Sequence, residues 1–116
     1  MSPSLLILIE SDPRESERPA EAIRIAAGVG AWKKAQVTVY LRGPAIRALG
    51  EWVDDLKEED NFTRYLPLLA ESGRSVLAQA GAPELNDLGE SPVKFEVIDD
   101  HELARRAVGF RHVLRF

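Results

Sequence analysis

Leu5-Leu6-Ile7-Leu8-Ile9-Glu10 is the stretch on which the reading of this chain turns. Five apolar residues run without a break and stop at Ser11-Asp12-Pro13. A continuous apolar run closed by turn residues is the pattern of a strand buried on both faces. Its short length, its two isoleucines and the closing Asp-Pro favour a strand over a buried helix.

The neighbouring segments supply what such a strand needs. After the polar loop Ser11–Ser16, Ser16 is placed to cap a helix, and Pro19 fits because it falls in the first turn. Ala20, Ile23, Ala26, Ala27 and Gly30 recur at helical spacing and give a small inner face that can approach a sheet closely. Gly28 and Gly30 weaken that helix, which is expected to stop near Ala31. Gln36–Leu41 alternates Val37, Val39 and Leu41 with Thr38 and Tyr40 and is the second strand, ended by Arg42-Gly43-Pro44.

Ile46, Leu49 and Trp52 predict a short helix over Ala45–Trp52, followed by a solvated acidic stretch to Asn61. A further helix is predicted over Phe62–Glu71, with Pro67 near its start and Ser72-Gly73 as its stop. Arg74–Ala80 contains Val76-Leu77-Ala78, read as the third strand although Val76–Ala80 also suits a helix, Glu84–Leu88 is one helical turn, and Val93–Ile98 is a further, alternating strand. Asp99 or Asp100 caps a short helix through Ala107, and His112–Phe116 closes the series as a strand. Strands that alternate with helices pair in parallel and carry helices on both faces of one sheet. With no repeat, low-complexity segment or linker, the 116 residues are expected to form a single domain.

Composition narrows the function classes. Apolar residues at 45% suffice for a core, and charged residues at 29% for a soluble surface. A formal net charge of -4 argues against a general nucleic-acid or anionic-membrane binder, since both need an excess of Lys and Arg. No apolar run approaches the roughly 18 residues of a membrane span, and no secretory signal is evident, so a cytoplasmic location is expected. The absence of cysteine excludes disulfides, thiolate metal sites and cysteine nucleophiles. Dinucleotide, P-loop and Gly-x-Ser-x-Gly motifs are missing too, so neither a cofactor nor a catalytic residue is expected.

Candidate binding residues follow from topology. Ligands of open parallel sheets sit beyond the carboxyl ends of the strands. That rule selects Ser11, Asp12 and Arg14 after the first strand and Arg42 and Gly43 after the second. Gln79 follows from the third strand, and His101, in the loop Asp99-Asp100-His101, from the fourth. The first loop can also be read as plain capping chemistry, and Asp99-Asp100 as the expected start of a helix. No metal site is expected, because His101 and His112 lie in segments that do not converge and the acidic run Glu51–Asp60 lacks calcium-loop spacing. Trp32 and Trp52 at helix ends suit either the edge of a core or an interface. Arg105, Arg106, Arg111 and Arg115 form a basic cluster, open to a partner or to helix-end compensation.

Three segments together resemble the DsrE/DsrF-like (TusD-like sulfur-relay) family. They are Leu5–Glu10 with Ser-Asp-Pro, Glu21–Ala27, and Gln36–Gly43, and Glu102–Arg106 with its following strand is similar to that family's closing helix and strand. The resemblance covers most of the chain. It implies a three-layer α/β/α fold on a five-stranded parallel sheet with the first strand in the interior, and homo- or hetero-oligomers. Sulfur-carrying members hold a persulfide on a cysteine after the third strand, and Gln79 falls about there. The chemistry of those members is therefore missing. The expectation is a non-catalytic binding or assembly subunit, homo-oligomeric or with a protein partner, with a relation to sulfur relay. The alternative is a small ligand-binding or enzymatic domain that uses the strand-end crevice.

Overall fold

The computed structural model describes residues 4–31, 36–71 and 75–116. The organising stretch forms β1 (Ser4–Ile9), which lies between β2 (Gln36–Leu41) and β5 (His112–Arg115). Beyond β2 come β3 (Ser75–Gln79) and β4 (Glu96–Ile98), so the sheet order is β4-β3-β2-β1-β5 and every pair is parallel. An interior strand needs apolar residues on both sides, and β1 has them. Ile7 and Ile9 join one core, while Leu6 and Leu8 join the other.

The connections explain which face each helix takes. β1, β2, β3 and β4 step along the sheet in one direction. Right-handed crossovers then put α1 (Arg18–Ala31) and α2 (Glu59–Glu71) on one face. The chain next doubles back across the sheet from β4 to β5, so α3 (Asp100–Ala107) lands on the other face. The layers are unequal. Ala20, Ala22, Ile23, Ala26 and Ala27 of α1, with Phe62, Leu66 and Leu69 of α2, cover Ile7, Ile9, Val37, Val39, Leu41, Val76 and Ala78. On the opposite face Leu6, Leu8, Tyr40, Leu77 and Ile98 meet Leu103, Ala107 and Phe110. α3 is eight residues long, and none of its residues is fully buried.

Several local expectations need correction. The predicted strand Val93–Ile98 is ordered as a strand over Glu96–Ile98. The Ser91 hydroxyl donates to the Val93 carbonyl and accepts from the Val93 N–H, which removes that residue from the ladder, and its side chain packs in the larger core. Ala45–Trp52 is replaced by a 3-10 helix over Gly43–Leu49, and Trp52 lies beyond it, 76% exposed. α2 begins at Glu59, three residues earlier than expected, which puts Pro67 inside the helix instead of near its start. The acidic stretch therefore ends as helix. The one-turn segment appears as a 3-10 helix over Pro83–Asp87. Ser16 stands just ahead of the α1 terminus, where its hydroxyl accepts the Arg18 N–H at 3.1 Å. Trp32 and the Ser72-Gly73 stop lie outside the described residues.

Other features agree with the sequence reading. Asp99 caps α3, its carboxylate accepting the Glu102 N–H at 2.7 Å. Arg105 and Arg106 of the basic cluster pair along that helix with Glu102, and Arg106 also reaches Glu96. β5 is pinned at its end, where the Phe116 carbonyl accepts the Glu10 N–H at 2.9 Å and Arg18 lies over the Phe116 ring at 5.6 Å.

Candidate functional site

The strand-end loops gather a polar network centred on Asp100. Tyr40 is the fifth residue of β2 and shares a face with Leu6 and Leu77, so its ring is buried. A buried phenol needs a partner for its hydroxyl, and the start of α3 supplies one. Tyr40 donates to Asp100 Oδ1 at 2.9 Å. The other oxygen, Oδ2, accepts from Arg42 at 3.0 Å and from the Gln79 amide at 3.1 Å. Gln79 Oε1 in turn accepts the Gly43 N–H at 3.0 Å. Gly43 has φ +56°, a conformation glycine adopts without strain, and no heavy atom crowds the place of a Cβ there. Arg42 also reaches Glu10 at the end of β1, at 3.5 Å.

The protonation states follow from these contacts. Burial and then the bond to Asp100 push the Tyr40 phenol well above its ordinary range, so it stays a proton donor. Burial works against the charge on Asp100. Hydrogen bonds from Tyr40 and Gln79, with the Arg42 charge, outweigh it and hold the carboxyl below its usual value. The result is a charged, half-exposed carboxylate whose donors are a phenol, an amide and a guanidinium. It can position and hold polar groups, and the hydroxyl beside it, that of Tyr40, is on a buried side chain and stays protonated.

The candidate residues from the sequence divide into two groups. Arg42, Gly43 and Gln79 come together as just described. Asp12 and Arg14 form a separate, self-contained loop: Asp12 Oδ1 accepts the Arg14 N–H at 2.9 Å, and the Arg14 guanidinium meets Oδ2 at 3.1 Å. That side-chain bond keeps the Asp12 carboxyl below its ordinary value. Ser11 is half-buried, and its N–H points to the Phe116 carbonyl at 3.4 Å. His101 is exposed beside Asp100, and its side chain makes no hydrogen bond or ion pair among the described residues. His112 opens β5 at the opposite edge of the sheet. Among the described residues no group of three or more His, Asp or Glu side chains is placed to hold a metal, and no helix is long and apolar enough to cross a membrane.

Tyr40 is the donor to Asp100 that the strand-end rule did not select, and Asp100 itself, though in the selected loop Asp99-Asp100-His101, was read as the start of a helix. A lone tyrosine in an apolar strand and a second aspartate beside a capping one were the signals available. Their meeting across sixty residues was not.

This is a DsrE-like fold, a three-layer α/β/α arrangement on a five-stranded parallel sheet. The crystal structure of the ychN protein from E. coli superimposes on it with a TM-score of 0.80, covering 100% of both chains at 20% sequence identity. No family model matches the sequence, and no curated protein matches it either.

Proposed function

We propose that this chain is a non-catalytic DsrE-like subunit of the cytoplasm that binds or assembles with protein, instead of carrying sulfur itself. The observation behind this reading is the state of Gln79. It stands where the family resemblance puts the carrier thiol, and both ends of its amide are occupied, one by Asp100 and one by Gly43. Persulfide relay requires a thiolate, and an amide held by two partners supplies only shape. Exposed apolar side chains at the sheet edges, Val97, Val113 and Leu114, support a surface made for contact with a second copy or a related subunit. Light scattering at micromolar concentration is expected to report a multiple of the single-chain mass. A single-chain mass, together with no complex on mixing with sulfur-relay subunits, would overturn the proposal.

A second reading is favoured by the convergence of Arg42, Gly43 and Gln79 beyond the strand ends. An anion entering there would compete with Asp100 and Glu10 for Arg42. Phosphate or sulfate at fixed ionic strength should then raise the melting temperature. Arg42→Glu should remove that shift and Arg115→Glu should keep it. A parent protein that shows no shift refutes this reading.

A further inference from the structure

Arg47 is a cation outside the strand-end network, and its surroundings call for an explanation of their own. It lies in the 3-10 helix after β2, between buried Ile46 and Ala48. Its Nε is buried and meets no hydrogen-bond acceptor. No ion pair or hydrogen bond engages its guanidinium among the described residues. Arg47 acts on Asp12 at longer range, but the Asp12 carboxylate already accepts its hydrogen bonds from Arg14. A buried guanidinium N–H without an acceptor costs free energy, and the terminal nitrogens of the same group, which reach solvent and also have no partner among the described residues, are the ones an incoming acceptor can meet.

The space beside it is a cavity of about 280 Å³, built by the segments that follow the two 3-10 helices. Arg47, Glu51, Trp52, Asp55 and Asp87 line it, over a floor that includes Leu56 and Leu88. One cation and three carboxylates make opposite demands on a ligand. A plain anion drawn to Arg47 would face Glu51, Asp55 and Asp87. A plain cation drawn to the carboxylates would face Arg47. A molecule with both charges a few bonds apart meets both demands. Trp52, 76% exposed at the rim, offers a ring face to an ammonium or to an apolar stem. The cavity is slightly smaller than the roughly 300–1,000 Å³ of drug-sized ligand sites, which suits a ligand no larger than a free amino acid.

From this we infer that the cavity between Arg47, Trp52 and Asp87 binds a small zwitterionic amino acid. Arg47 takes the carboxylate, and Glu51, Asp55 and Asp87 face the ammonium. The inference does not depend on the assembly role or on the Asp100 network.

The test uses the full chain with Trp32→Phe, which leaves Trp52 as the one tryptophan emitter. L-lysine, an α-amino zwitterion with a second ammonium on its side chain, is the probe, and acetate and n-butylammonium present its carboxylate half and its side-chain ammonium half separately, all at equal ionic strength. L-lysine should change the Trp52 emission saturably in the millimolar range or below, and each half should be much weaker. Arg47→Gln should weaken L-lysine binding about tenfold or more, the scale of a lost charge-assisted hydrogen bond. Asp87→Asn, at an exposed position, should weaken it several-fold and carries the test if Arg47→Gln does not fold by circular dichroism. The inference is overturned if L-lysine gives no saturable change or if either half binds as well as the whole. It is also overturned if the folded variants bind like the parent.

Discussion

Ile7→Ala tests the architecture at its centre. Ile7 is 0% exposed, sits in the middle strand of three and pairs with Val39 on one side and Leu114 on the other. The substitution removes three carbons, worth about 2.4 kcal/mol in transfer at about 0.8 kcal/mol each. A cavity term adds to this, because a side chain held between α1 and two strand neighbours leaves space that the backbone cannot close. The expected loss is therefore in the upper part of the range of about 2–5 kcal/mol seen for buried Ile→Ala changes. Leu114 is the internal control, since it belongs to the same row of the sheet but is 42% exposed. Leu114→Ala should cost roughly half as much or less, because much of its surface already meets water. Urea denaturation followed by circular dichroism gives both values, with an unchanged slope required for the comparison. Equal losses for the two variants would refute the placement of β1 in the interior.

Three further outcomes follow from contacts described above. Gly43→Ala should cost about 1–2 kcal/mol from the left-handed backbone alone, since no heavy atom crowds the new methyl, and denaturant midpoints check this. Asp99→Ala removes the α3 cap and should cost about 1 kcal/mol by the same measurement. Asp12 and Asp100 both titrate below their ordinary values in the folded protein. The stability they contribute is present above the unfolded carboxyl pKa of about 3.9 and is lost as pH falls through the folded values. Melting temperatures from pH 7 down to pH 2 should therefore fall on the acid side, and less steeply in Asp100→Asn.

What the sequence disclosed depended on how local the governing physics is. Gln36–Leu41 is bounded as read, because β-branched alternation and an Arg-Gly-Pro stop both act within a few residues. Val93–Ile98 has the same alternation, yet Val93 belongs to the larger core and Val97 is 46% exposed. There the serine–proline pair ahead of Val93 governs the backbone, and periodicity cannot register it. Arg42, Gly43 and Gln79 were legible as a group because parallel strands must end on one edge. Asp100 as their hub was not, since that needs the direction of Tyr40 across the sheet. Trp52 moved from a helix end to the surface because the 3-10 turn stops at Leu49 and Gly50 continues extended.

The placement of β5 has a consequence for how the chain is made. β1 is synthesised before β5, and one of its two hydrogen-bonding edges is matched by β5, a strand about a hundred residues later. β2 can pair with β1 early, but until β5 is made the other edge of Leu5–Ile9 stays open, apolar and flat. Such an edge is a template for pairing with another chain. β5 is suited to close it: it is short, and its Arg115, with Arg111 just ahead, puts charge on the new outer edge. The last strand thus works as a guard against aggregation. A nascent chain stalled before it would carry the most adhesive strand of the protein uncovered.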